Sequence, residues 1–345
     1  MKMEPGFVTS LKQALKRWQP LVDELNSRPG GLSDTQLISL VSRPTESIAA
    51  FEFAGDCDVV KLTSNWTKGS LDGVDALRNQ RVSFMILTGD DALLQFSSGM
   101  SLLGFKLAQA HDLFTTLMID PAHTQSISEH IAGITSIAQV GGVEQFQSFR
   151  LTPDNGLSFD RGSWPEMYPT GTGDLPAAMA EGATAKLKEL GIKYVVINSV
   201  NNLGLPCNVE ALTLHINSGK PVTCQVVRRV KGDTDGTLIW KDGVLQAAEP
   251  FELDDDLESA TWCNTGTYII NIDTLLEAGD KLNHYHRVRK TVGTRLVVQY
   301  ERFIKELTEI FPTNFVEVDR ETYYDPIRSS VDLQHAEQRY FDPEA

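Results

Sequence analysis

Short apolar runs alternate with amphipathic stretches along most of the chain. VSFMIL (Val82 to Leu87) ends at Thr88-Gly89, TTLMID (Thr115 to Asp120) is a second such run, and FKLAQAHDLF between them has helical spacing. Strand, loop, helix, strand is the βαβ rhythm of a parallel sheet. The rhythm returns in AAMAEGATAKLKELG, a predicted helix closed by Gly191, followed by KYVVIN, a predicted central strand. LIWKDGVLQ places Asp242-Gly243 between two strand-forming runs, which is a hairpin signal. GTYIINI and FVEVD read as further strands and YERFIKELTEIF as a further helix. Near the start, Leu11, Leu15, Trp18, Leu21 and Leu25 recur at near-helical intervals before the turn-rich SRPGGLSDTQ. The pattern predicts a helical N-terminal extension over residues 1–75 and one α/β domain over 76–345, built on a mixed, mainly parallel central sheet.

Composition narrows the class. The 345 residues are 41% hydrophobic and 22% charged, as in ordinary globular proteins. No run of about 18 apolar residues occurs, and the start lacks the apolar core of a secretory signal, so a cytoplasmic protein is expected. Cys57, Cys207, Cys224 and Cys263 are widely spaced and form no CxxC pair, which points to buried free thiols. A net charge of −15 offers no long-range attraction to nucleic acid or an anionic membrane. Bound phosphate must be met by a few locally placed cations and amides.

Several stretches carry candidate chemistry: EQFQS (Glu144 to Ser148), YPTGTGD (Tyr168 to Asp174), VVINSVNNLG, WCNTGTYIINI, VVQYERFI and VDRETYYDPIRSSVDL. Their order and spacing over roughly residues 80 to 335 resemble the UTP–glucose-1-phosphate uridylyltransferases and related UDP-sugar pyrophosphorylases. The resemblance implies a GT-A-like, Rossmann-type nucleotidyltransferase fold and transfer of UMP from UTP to a sugar 1-phosphate, with release of pyrophosphate. It implies that Gln147 and the backbone of Gly171 and Gly173 lie against the uracil edge, with Gly89 in the phosphate loop. Asn202, Gly204 and Asn264 fall on the sugar side. Arg328, in DPIRSS, stands where the family has a lysine, and Lys290, in RKTVG, on another lysine; both would steady phosphate charge.

The sequence also departs from the family pattern. Aligning Ser101 on the serine of the family's P-K-S leaves Gly89 alone among the loop glycines, puts Asp90 and Asp91 inside the loop, and sets Met100 in place of the lysine. Asn201 replaces a metal-associated aspartate; its carbonyl can ligate Mg²⁺ but brings no charge. Asp174 is the other candidate for Mg²⁺, against its simpler reading as a turn residue or helix cap. His284 and His286, two apart on a strand, read as surface residues rather than a metal pair, and Glu252 to Glu258 as a solvated acidic loop. Two functional readings follow: a divergent uridylyltransferase acting on UTP or a UDP-sugar and a sugar 1-phosphate, or a nucleotide-sugar-binding or regulatory protein impaired in transfer. A glycosyltransferase is a weaker third, since no DxD joins the strand ends.

Overall fold

The computed structural model describes residues 51–62, 72–110, 113–134, 139–153, 158–159, 166–253, 257–282 and 285–341. The predicted helix around Leu11 to Leu25 and His284 lie outside these residues.

The chain runs through β1 (Glu52–Phe53), β2 (Val60–Lys61), α1 (Asp72–Arg78), β3 (Val82–Leu87), α2 (Leu102–Ala110), β4 (Thr115–Ile119), α3 (Thr124–Ala132), β5 (Val140–Glu144), β6 (Gln147–Phe149), β7 (Met167–Pro169), α4 (Leu175–Ala180), α5 (Ala183–Glu189) and β8 (Tyr194–Ser199). It continues through α6 (Val209–Ser218), β9 (Val222–Arg228), β10 (Thr237–Lys241), β11 (Val244–Ala248), β12 (Trp262–Asn271), α7 (Ile272–Lys281), β13 (His286–Val292), β14 (Arg295–Glu301), α8 (Leu307–Ile310), β15 (Thr313–Glu317), α9 (Arg320–Tyr323) and α10 (Ser330–Phe341).

An eight-stranded sheet in the order β2-β15-β9-β12-β8-β3-β4-β5 is the body of the molecule. Every neighbouring pair is parallel except those made by β12, which runs antiparallel to both β8 and β9. The unbroken apolar run of β3 now has its reason: all six residues are buried, because helices cover both faces of the sheet. Alternate side chains divide between those faces. Met85, Ile197, Cys224 and Tyr268 pack with Leu175, Met179 and Leu275 on one side, whereas Phe84, Val196, Ile269 and Val316 pack with Ala211 and Leu212 on the other. The sheet is that of a mixed, mainly parallel α/β protein, as the sequence predicts.

The Asp-Gly hairpin forms between β10 and β11, with Asp242 at φ 51° and Gly243 at φ 77°, both in the left-handed region that a two-residue turn of this hand requires. Other boundaries move. β1 pairs with β10 and β2 with β15, so the α/β body reaches back to residue 52, and the expected boundary at 75 falls inside α1. The helix predicted before Gly191 is two short helices, α4 and α5, parted at Gly182 with φ 140°. YERFIKELTEIF begins as the end of β14 and turns helical only afterwards. Cys224 and Cys263 are buried free thiols, but Cys57 is exposed. Among the described residues, no helix is long and apolar enough to cross a membrane.

Candidate functional site

β12 is antiparallel to its neighbours, so its first residues meet the carboxyl ends of β8 and β9 at one edge of the sheet. A polar cavity of about 250 Å³ opens there, at the end of the sheet where α/β proteins receive ligands. Ser199, Asn201 and Asn202 enter it from the end of β8, Asn264 to Gly266 from β12, Asp235 and Gly236 from the approach to β10, Glu249 from the end of β11, and Tyr324 and Pro326 to Arg328 from beyond α9.

Each wall is fixed locally. The pairing of β12 with β9 slips between Asn264 and Tyr268, and Gly266 takes φ 69° there. In that bulge the Asn264 amide donates to the Tyr268 hydroxyl at 2.8 Å, while its oxygen accepts the Gly266 N–H at 3.0 Å. Asn202 ties two segments together: its oxygen accepts from Gly204 N at 3.1 Å and Asp325 N at 2.9 Å, and its amide donates to the Tyr323 carbonyl at 3.1 Å. Gly204 permits that approach, since a Cβ there would stand 2.2 Å from the Tyr323 carbonyl carbon. Asn201 differs from both. Its side-chain oxygen is buried and has no hydrogen-bond partner among the described residues.

Two carboxyl groups and one guanidinium face the cavity. Arg328 donates to the Asp235 carboxylate and, at 2.7 Å, to the Tyr324 hydroxyl, which itself donates to Asp235. Burial pushes the Glu249 carboxyl up to about 7, although the Lys305 ammonium pulls the other way. The backbone N–H of Glu249 donates at 2.7 Å to Glu252, whose carboxylate pairs at 2.8 Å with the buried ammonium of Lys305. Neither Asp235 nor Glu249 was singled out from the sequence; the only signal for Glu249 is its place just past the Asp-Gly hairpin.

The cavity thus brings together Asn201, Asn202, Asn264 and Arg328 from the predicted site, and other candidates lie apart from its lining. The Gln147 amide donates to Asp120 Oδ1 at 2.9 Å, beyond the carboxyl ends of β4 and β5. Gly89 follows β3, with open space where a side chain would be. Gly171 and Gly173 are pressed against β14's end: an added Cβ would lie 2.3 Å from the Arg302 carbonyl oxygen and 2.6 Å from the Arg302 Cβ respectively. The Gly173 N–H already donates to that carbonyl at 2.9 Å. Asp174, fully buried, accepts from Arg302 Nε at 2.7 Å and from the Thr170 hydroxyl, so its charge balances a buried guanidinium and does not fit a hydrated Mg²⁺. Lys290, half exposed on β13, pairs with Glu301 at 2.6 Å.

Ser101 finds its local role, and two further expectations change. Ser101 caps α2 by accepting the Gly104 N–H at 2.8 Å and bonds His130 at 2.7 Å. His286 is buried, not superficial, at 2.9 Å from Glu306. Glu252, at the head of the acidic run, is buried against Lys305, and residues 254–256 lie outside the described residues.

Fold and cavity together define an α/β protein with a polar-lined cavity at the carboxyl edge of its sheet. A sequence model of the UTP–glucose-1-phosphate uridylyltransferase family matches residues 120–345, more than half of the chain, and the chain belongs to that family. No curated protein gives a significant sequence match. Among solved structures, the chain is similar to the uridine diphosphate N-acetylglucosamine pyrophosphorylase of Trypanosoma brucei in complex with an inhibitor (16% identity, TM-score 0.67, 97% of this chain and 84% of that one). It is also similar to a mutant UDP-glucose pyrophosphorylase of Leishmania major in complex with UDP-glucose (17% identity, TM-score 0.64, 96% and 79%). A third is the UDP-glucose phosphorylase of Trypanosoma brucei (20% identity, TM-score 0.65, 81% and 70%). At such identities the likeness establishes the shared fold.

Proposed function

We propose that the chain is a sugar-1-phosphate uridylyltransferase of the cytoplasm, serving carbohydrate metabolism through a GT-A-like nucleotidyltransferase domain. The observation that carries this reading is the cavity itself, where amides, two carboxyl groups and one guanidinium converge. Asn264 and Glu249 offer the paired donors and acceptors that sugar hydroxyls require, and Arg328 offers a planar, permanent cation to phosphate.

In the proposed reaction a phosphate oxygen of the sugar 1-phosphate attacks the α-phosphorus of UTP, and pyrophosphate leaves. Such transfer depends on alignment and on neutralising charge. Arg328 would stabilise the bridging phosphates, with Asp235 and Tyr324 holding its plane. Gln147 and the turn at Gly171 and Gly173 would read the base, and Lys290 would contribute only through the hairpin that carries it. Mg²⁺, when bound with the nucleotide, would add positive charge; the unpartnered oxygen of Asn201 fits it as a neutral ligand, whereas Asp174 does not.

The test is pyrophosphate exchange into UTP with glucose 1-phosphate and with N-acetylglucosamine 1-phosphate. Exchange with either, lost in Arg328→Ala, supports transfer. Tight UDP-sugar binding without exchange would favour the second reading, a binding or regulatory protein, which the two aspartates in the phosphate loop make a serious rival.

A further inference from the structure

We propose that Asp90, Asp120 and His123 form a site for a divalent cation at the carboxyl ends of β3 and β4, and that this ion supplies the charge that the phosphate loop lacks. One ligand atom from each of the three residues lies within 4.8 Å of the others. Topology brings them together: β3 and β4 are parallel neighbours, Asp90 stands three residues past the end of β3, and Asp120 immediately follows β4. His123 ends the short turn that Asp120 opens, and its Nδ1 is 3.9 Å from Asp90 Oδ1.

The arrangement is anchored on one side and adjustable on the other. Asp120 is buried, and among the described residues both hydrogen bonds it accepts, from Ala122 N at 3.0 Å and from the Gln147 amide at 2.9 Å, fall on Oδ1. A carboxylate oriented by neighbours through one oxygen, with the other directed elsewhere, is how an outer shell prepares a metal ligand. The β3 loop is tied to β4 through Thr88, whose N–H donates to the Met118 carbonyl at 3.1 Å. The Asp90 side chain, by contrast, is 86% exposed and free to close. An ion with bonds of about 2.1 Å needs neighbouring ligands roughly 3 Å apart, so a small swing of Asp90 completes three positions and leaves the rest for water or phosphate.

The donor set argues for the ion's kind. Two carboxylates and one imidazole suit Mn²⁺ and its first-row neighbours better than Ca²⁺, which takes oxygen alone. The loop's composition supplies the motive. Residues 88–101 contain Asp90 and Asp91 and no lysine or arginine, so a polyphosphate there meets negative charge unless a cation intervenes. The site as such stands on geometry alone; its role toward polyphosphate rests on the uridylyltransferase reading.

Mn²⁺ titration of the full chain, followed by the loss of the free-ion paramagnetic resonance signal without nucleotide, tests the site. One equivalent should bind, and His123→Ala and Asp120→Asn should each weaken binding tenfold or more. Because Asp120 also opens the turn, melting in metal-free buffer accompanies it, and His123→Ala, which removes no cap, decides the matter alone. Absence of binding in the unaltered chain, or binding in His123→Ala as tight as in the unaltered chain, overturns the site. Calorimetry of UTP with and without Mn²⁺ then tests the role: the metal should tighten UTP at least tenfold more in the unaltered chain than in His123→Ala. Equal enhancement in both overturns the role. Failure of pyrophosphate exchange would count against transfer and leave the Mn²⁺ result untouched.

Discussion

Arg328 meets an anion within its own chain before it meets any ligand, because Asp235 and the Tyr324 hydroxyl already occupy its guanidinium. A phosphate entering the cavity must share that guanidinium with a carboxylate. Asp235→Asn should therefore tighten UDP binding by about 1 kcal/mol, the scale of a partly exposed charge pair, while Arg328→Ala weakens it by roughly 1.5–3 kcal/mol. Calorimetry with UDP reads both, and a looser complex for Asp235→Asn would mean that the carboxylate's positioning outweighs its repulsion. A second residue carries a pH signature. Lys106, fully buried in α2, donates to the Gly204 carbonyl at 2.9 Å, and burial lowers its ammonium to about 7. The unfolded chain then holds more protons between about pH 7 and 10, so stability rises with pH through that window. Below it the cost of burying the charge, up to roughly 5 kcal/mol, is fully present. Lys106→Met removes this dependence, and urea unfolding at pH 7 and 9.5 should show a smaller difference for the variant than for the unaltered chain.

The elements beside the cavity show which glycines serve the backbone and which leave room. Gly171, at φ 98° with Arg302 against it, admits no side chain; Gly171→Ala should cost more than about 3 kcal/mol in denaturant unfolding. Gly89→Ala should change stability by less than about 0.5 kcal/mol, since open space surrounds it. If phosphates lie on this loop, the same substitution lowers UTP affinity at least twofold, measured by calorimetry on a chain whose unfolding midpoint has not moved. The contrast also marks what the sequence could reveal. β3, β8 and the Asp-Gly hairpin were readable because an apolar run and a turn dipeptide carry their causes locally. Asn201, Asn264 and Arg328 were found through motif order, and the topology of β12 gathers them. Asp235, Glu249 and the burial of His286 left no such trace, because each depends on partners distant in sequence. Asp174 is the clearest case: Arg302, its counter-charge, lies 128 positions away, and no local pattern distinguishes a structural carboxylate from a metal ligand. Lys290, likewise, is legible as a cation but not as one already paired with Glu301.

At the scale of the whole molecule, the family match and the folding unit begin in different places. The match starts at residue 120, yet β3 and β4 precede it, and β3 is bonded to β8 in the middle of the sheet. A fragment of residues 120–345 would keep the recognised motifs and leave β8 and β5 without the two strands between them. It would also lose the buried side chains of Phe84, Met85, Ile86, Leu117 and Met118. At roughly 2 kcal/mol for each, that is about 10 kcal/mol of burial, comparable with the 5–15 kcal/mol by which a typical domain is stable. Exposed edges on β8 and β5 would add a tendency to associate. The fragment should therefore show no cooperative unfolding transition and should sediment as aggregates, while the full chain unfolds cooperatively in urea. A soluble fragment that unfolds cooperatively and binds UDP would mean that the carboxyl-edge cavity forms without β3, and that the sheet's first βαβ unit is an addition to the folding core, not part of it.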